Sequence, residues 1–341
     1  MNTLVALLLA TAQDVDAALD ALAAVPAGNG AAYEAARANV VALGAGAVPA
    51  LRVRGAADRW TADGWVRALA AEACRARLED PELAAAVDRP RGLDPEHYRR
   101  FRRPEPMSAP ELARRGAAAV PLLLERWRWT FSTYPFSAGA DGEAERENLR
   151  QAILFVAGQT ADRRARHLLG DVLANAALPV SWRRQAALSL GSCAGTVALP
   201  ALTRWLDGAG EPADLREACA RALGRVPDPA AVDAIRSRLG DRDTQVRQSL
   251  LSALGWLGSE WGWKARGPDA AALGDRVRQG CADALVESLR NAPEEIETVQ
   301  RALALTAWSG SRAALEKLGA DAGASPYTRE AAREALRRLK P

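Results

Sequence analysis

The chain has 341 residues, of which 49% are hydrophobic and 26% charged, and its formal net charge is +3. That apolar content supports a packed core and excludes a disordered polyelectrolyte. So small a net charge excludes recognition of a charged polymer by bulk charge alone.

At the N-terminus, Leu4-Val-Ala-Leu-Leu-Leu-Ala10 followed by Ala10-Thr-Ala12 has the apolar core and small-residue site of a signal peptide. The positive start of such a segment is missing from Met1-Asn-Thr3. Residues 1–13 therefore read either as a signal peptide, which favours export to the periplasm over a cytoplasmic location, or as a first helix running to Ala24. No other stretch approaches the ~18 apolar residues of a membrane span.

Residues 14–142 read as divergent helical repeats with irregular insertions. Gly44-Ala-Gly-Ala-Val-Pro-Ala-Leu51 echoes Gly116-Ala-Ala-Ala-Val-Pro-Leu-Leu123, and each looks like a hairpin turn entering a helix. Between them, residues 88–110 are rich in arginine and proline. Residues 127–146 hold Trp127, Trp129, Phe131, Tyr134 and Phe136 before a Gly/Ala/Asp loop.

Residues 143–341 carry a repeat. Arg150-Gln-Ala-Ile-Leu-Phe-Val-Ala-Gly158 is matched by runs from Arg183 to Gly191, Arg216 to Gly224 and Arg247 to Gly255, with arginines 33, 33 and 31 residues apart. Apolar residues three, six and seven after each Arg lie on one face of a helix. They are Ile153, Val156 and Ala157; Ala186 and Leu190; Cys219, Ala222 and Leu223; Leu250, Ala253 and Leu254. The Gly eight after the Arg is expected to end that helix in left-handed geometry. A second helix follows, striped by Leu169 and Leu173, Leu202 and Leu206, or Ile235 and Leu239. The period breaks at 258–269. A degenerate unit from Val299 to Leu318 places Trp308 where the Gly belongs, and Arg329 to Leu336 repeats the first-helix pattern behind Ser325 as N-cap. One such hairpin cannot bury both faces, so stacking is required.

This pattern resembles the HEAT repeat family, in particular its short bacterial lyase-type form. The best match is Asp241-Arg-Asp-Thr-Gln-Val-Arg247 with Leu250, Leu254 and Gly255; Pro200 resembles the family's Pro entering the second helix. The resemblance implies an all-α fold, a right-handed α-α superhelix of roughly seven hairpins. It also implies an Asp–Arg interaction between neighbouring repeats, for which the Asp is clear only before Arg247.

Chemistry is sparse. His97 and His167 lack metal-ligand spacing, so no metal site and no cofactor is expected. The iron hydroxylases built from HEAT-like repeats need several His-Glu pairs, which are absent. Cys74 and Cys219 fall in apolar slots and read as buried thiols. Gly191-Ser-Cys-Ala-Gly195 resembles a nucleophile elbow, but a helix precedes it and it aligns with the turns expected at Gly224-Arg-Val-Pro and Gly255-Trp-Leu-Gly. Glu294, Glu295 and Glu297 suit the dipole at a helix start.

Binding residues are better signalled. Arg163, Arg164, Arg166, Arg204, Arg236 and Arg238 lie on second helices, which line the concave surface in this family. They form either a basic inner face for an acidic protein segment or an ordinary solvated face. Trp205 is an anchor there or packs on the next repeat. Trp261, Trp263, Lys264 and Arg266 sit in the Gly-rich break, as a binding hot spot or as cover for the array edge. The expected function is a monomeric, non-catalytic scaffold that binds another protein. The alternative is an enzyme on a HEAT-like cradle, resembling DNA glycosylases or bilin lyases. With three Lys against 42 Arg and little net charge, nucleic acid is the less favoured partner.

Overall fold

The computed structural model describes residues 2–26, 29–57, 65–88, 115–130, 140–160, 162–208, 210–259 and 271–339. Among these residues the protein is all-α, and no helix is long and apolar enough to cross a membrane. The chain divides into two compact units, Met1–Leu168 and Leu169–Pro341.

The first unit contains α1 (Asn2–Ala23), α2 (Gly30–Ala42), α3 (Val48–Ala57), α4 (Trp65–Glu79), α5 (Pro81–Asp88), α6 (Val120–Trp129) and α7 (Ala140–Gln159); α8 (Arg163–Ala174) spans the division. Val15, Leu19 and Leu22 of α1 are fully buried with Tyr33, Val40, Leu51 and Cys74. Asp16 on the other side of α1 pairs with Arg54 at 2.6 Å and Arg67 at 2.8 Å, which fixes α1 against α3 and α4. The Arg150 helix, α7, packs in this unit.

The second unit continues with α9 (Val180–Cys193), α10 (Leu199–Asp207), α11 (Ala213–Leu223), α12 (Pro229–Arg236), α13 (Thr244–Gly258), α14 (Ala271–Asn291), α15 (Ile296–Thr306), α16 (Arg312–Ala320) and α17 (Pro326–Arg338). The expected stripes are buried: every apolar residue three, six or seven after a repeat Arg is within 4% of complete burial. On the second helices Leu202, Leu206 and Ile235 are likewise buried. Leu239 differs, because α12 stops at Arg236 and leaves it half-buried in the following turn.

The glycine of the repeat does something other than end a helix in left-handed geometry. Gly191 and Gly255 lie inside α9 and α13, and Gly224 is right-handed at φ −59°. A Cβ on Gly191 would fall 2.7 Å from the Cα of Ala222; on Gly224, 2.9 Å from that of Ala253; on Gly255, 2.9 Å from that of Ala302. The slot is glycine because successive first helices touch there. Left-handed glycines occur instead before the second helices, at Gly44, Gly116 and Gly195. Each precedes or opens a short 3-10 turn and is followed by Pro49, Pro121 or Pro200 in the first turn of the next helix, where proline lacks only an N–H that no helix bond uses.

The same register corrects the degenerate unit. Ala222 and Ala253 are each six residues after a repeat Arg. Ala302 is their counterpart, so Ile296 takes the Arg slot and Ala304 the Gly slot. Trp308 lies beyond the helix, after a left-handed cap at Ala307. Its indole N–H donates to Gln279 at 2.8 Å, and the Arg278 guanidinium sits 4.5 Å from its ring centre.

Candidate functional site

Burial of the repeat arginines decides which charges remain for binding. Arg183 and Arg216 are 3% exposed. Each reaches back to a main-chain carbonyl and forward to a carboxylate of the next repeat. Arg183 donates to the Leu173 carbonyl at 3.2 Å and to Glu211 at 3.2 Å. Arg216 donates to the Glu211 carbonyl and, with two nitrogens at 3.0 Å each, to Asp241. Arg247 donates to the Asp241 carbonyl at 3.0 Å and faces Glu295 at 3.1 Å.

Glu211 and Asp241 thus join both neighbours, one through the side chain and one through the backbone. The ladder extends beyond the Asp before Arg247, the sole clear signal in the sequence. Glu211 substitutes for Asp five residues before Arg216, and Glu295 is carried in after the break at 258–269. Glu295 is therefore a buried ladder carboxylate rather than a simple dipole partner at the surface.

A second ionic cluster, in the first unit, has no counterpart among the sequence expectations. Glu125 is 1% exposed and accepts from the Tyr33 hydroxyl at 2.8 Å and from Arg77 at 2.6 Å, with Arg37 at 3.6 Å. Arg77 also donates to Asp88 at 2.9 Å, and Arg126 donates to the Asp88 carbonyl at 2.9 Å. Burial raises the Asp88 carboxyl, yet the Arg77 hydrogen bond and nearby guanidinium charges outweigh it and hold the group below the usual carboxylate range. Burial and the Glu125 charge push the Tyr33 phenol well up. The cluster joins α2, α4, α5 and α6; Glu125, Arg77 and Asp88 are paired as burial requires, while the buried Arg126 meets a main-chain carbonyl. Its one sequence signal is an acidic residue inside the apolar run Val120-Pro-Leu-Leu-Leu-Glu125.

The second-helix residues occupy several environments. Arg163's side chain lies outside the described residues. Arg164 pairs with Asp162 at 2.8 Å and with Glu72. Arg166 is half-buried. Arg236 pairs with Glu287, and Arg238, which lies in the turn after α12 rather than on the helix, pairs with Asp207 at 2.6 Å. Arg204 is exposed, with its guanidinium 5.4 Å from the Trp205 ring centre. Trp205 is 9% exposed and packs under Arg183 at 4.3 Å, so its place is in the stack. Trp261, Trp263, Lys264 and Arg266 lie outside the described residues.

Cys74, Cys219 and Cys281 are buried, and burial pushes the thiols of Cys219 and Cys281 up to about 12. Thiols so raised stay protonated and inert at neutral pH. Cys193 ends α9, with helix rather than strand before it. No group of three metal-ligating side chains occurs among the described residues, and His97 lies outside them.

Two open cavities lie in the second unit. One of about 580 Å³ is lined by Arg236, Asp241, Arg242, Arg247 and Glu287 among others, a mixture of both charges. The other, about 650 Å³, crosses the first helices and is lined by Leu188 of α9, Arg221 of α11, Arg225 and, on α13, Ser252 and Trp256. The residues after Gly255, expected to form a turn, are instead the last helical turn of α13, and Trp256 stands on it 60% exposed.

Residues 209–261 match the family model of HEAT repeats. They cover the Arg216 and Arg247 repeats, so this stretch matches HEAT repeats as the local pattern indicated. No curated protein matches the chain. Similar solved structures include human deoxyhypusine hydroxylase in complex with glycerol, 20% identical over 73% of this chain and 97% of that one, with a TM-score of 0.30. Importin beta in an ammonium sulfate condition is 13% identical over 89% of this chain and 42% of its own, with a TM-score of 0.35. An engineered protein is 18% identical over 96% of this chain and 95% of its own, with a TM-score of 0.30.

Proposed function

We propose that this chain is a non-catalytic HEAT-repeat scaffold that binds another protein through its second unit. The observation that supports this reading is the repetition of outward slots. Helices α9, α11 and α13 stack by the same glycine–alanine approach and the same arginine ladder, so equivalent positions recur along one surface. Such a surface follows an extended partner segment more readily than it encloses a small molecule.

The second-helix face and the segment 258–269 are the surfaces assigned from sequence. On the former, Arg204 is exposed, while Arg236 and Arg238 already face carboxylates. Capture by the full-length chain followed by mass spectrometry identifies the partner. Arg204→Glu and Trp263→Ala are then each expected to weaken its binding about tenfold or more. If both leave the affinity unchanged, the assigned surface is wrong. If no polypeptide is captured and plain duplex DNA binds with a steep salt dependence, the protein-binding reading fails.

A further inference from the structure

The position of Trp256 is explained by neither the core nor the ladder. It sits nine residues after Arg247, and Ser252 five after. The same two slots hold Leu188 and Ser192 after Arg183, and Arg221 and Arg225 after Arg216. On α15, where Ile296 takes the Arg slot, the ninth position is Leu305. Trp256 and Leu305 thus share a slot on helices that touch at Gly255 and Ala302. Both are among the few large apolar side chains left exposed among the described residues, at 60% and 39%. Trp127, Trp182 and Trp205 are buried and Trp308 is half-buried, so among the described tryptophans the indole standing in water on an outer helix face is a departure.

The surroundings carry a sign. The 650 Å³ groove beside Trp256 is lined by Arg221 and Arg225 and, among the described residues, by no carboxylate. Arg225 donates to Ser192 Oγ at 2.6 Å, which holds its guanidinium at the groove. Arg221 is exposed and faces the half-buried Glu217 one turn away at 3.4 Å, a long surface contact that an incoming carboxylate can replace at small cost.

We propose that this groove on the first helices of the second unit docks an acidic segment of a partner protein, with one apolar or aromatic side chain against Trp256 and Leu305 and flanking carboxylates on Arg221 and Arg225. Guanidinium forks match carboxylates in geometry as well as charge, and an indole face supplies apolar area at low entropic cost. Two arginines are too few to hold a nucleic-acid backbone tightly. A second copy of the chain docking symmetrically would set these arginines against their own equivalents, which repel. The proposal rests on the protein-binding reading, but it uses the first helices rather than the second helices that sequence favoured.

The test uses the full-length chain and an array of labelled octapeptides in which Leu, Phe or Trp is flanked by Asp and Glu. Members of the array should bind, more weakly as salt rises. Trp256→Ala should weaken that binding about thirtyfold. The double variant Arg221→Glu with Arg225→Glu should abolish it and instead capture octapeptides in which Lys and Arg replace the acids. Arg52→Gln, an exposed change in the first unit, should leave it unchanged, and all variants should melt as the parent does. If binding ignores the Trp256 and arginine changes but is lost in Arg204→Glu, this groove is not the site, although the scaffold reading stands. The groove is likewise excluded if no acidic peptide binds while the chain still captures a protein partner. Concentration-dependent self-association abolished by Trp256→Ala would overturn the proposal in favour of a second copy.

Discussion

Gly191→Ala is expected to destabilise the protein by about 1–3 kcal/mol, although glycine to alanine inside a helix ordinarily stabilises by roughly 0.5–1 kcal/mol. The new Cβ would lie 2.6 Å from the Ala222 carbonyl oxygen, 2.7 Å from its Cα and 2.8 Å from its Cβ. Two of these atoms are backbone, so α9 and α11 must separate to admit it. Separation opens gaps along the buried faces of both helices, where Ala186, Leu190, Cys219 and Leu223 sit almost fully covered. Gly170 inside α8 is the internal control. Nothing lies within 4 Å of its built Cβ, so Gly170→Ala should gain roughly 0.5–1 kcal/mol from chain entropy. Urea unfolding of the two variants checks the sign. Equal stabilities would show that the glycine slot is not a helix contact.

That slot also shows how far sequence can go. The helical stripes are legible because burial imposes a period that any apolar residue can satisfy, Cys219 included. The glycine is visible too, but its role is not. A sequence displays that a position tolerates no side chain; it does not display whether the cause is a positive φ or another backbone about 3 Å away. The extent of the first helix is hidden for a related reason. Pro227 follows closely after Leu223 and bars α11 from another turn. Nothing of that kind follows Gly255, so α13 runs on and turns Trp256 outward. Treating the two segments as equivalent turns conceals the most exposed tryptophan of the described chain.

The ionic residues are legible only in part. Arg216 is visible as a repeat position, and Asp241 as its family partner. Glu211 and Glu295 escape because the ladder needs a carboxylate at a place in space, not at a fixed offset in the chain. Glu125 escapes because its partners Tyr33, Arg77 and Arg37 are tens of residues away. On the second helices sequence shows six arginines but not their acids, so Arg236 and Arg238 look freer than Glu287 and Asp207 allow.

Arg216→Ala is expected to cost about 3–5 kcal/mol, the usual loss when one partner of a buried ion pair is removed. It would strip two hydrogen bonds from Asp241, whose side chain is 9% exposed, and one from the Glu211 carbonyl. Arg216→Lys should fall between, because an ammonium keeps the charge but cannot reproduce the fork. The loss should also depend on pH in a fixed direction. Burial raises the Asp241 carboxyl, but hydrogen bonds from Arg216 and the Asp243 N–H outweigh it, so its folded value lies below the ordinary 3.8. A depressed carboxyl stabilises the fold above its unfolded value, and that contribution is lost as pH falls through the folded value. The gap between parent and Arg216→Ala should therefore be full at neutral pH and shrink below about pH 4. Denaturant titrations at pH 7 and in acid measure it. A gap that stays constant into strong acid would mean that Asp241 is not the partner whose loss matters.

Together the ladder and the glycine contacts assign the repeat's own residues to stacking, which leaves its outward faces for a partner. Photo-crosslinking tests that division directly, with a benzophenone amino acid placed at position 204 on a second helix or at position 256 on a first helix, in cells that make the protein naturally. A discrete adduct to another polypeptide from either position, absent when the benzophenone replaces a ladder residue such as Glu211, is the predicted result. Adducts to nucleic acid alone, or no polypeptide adduct from either face, would contradict the scaffold account.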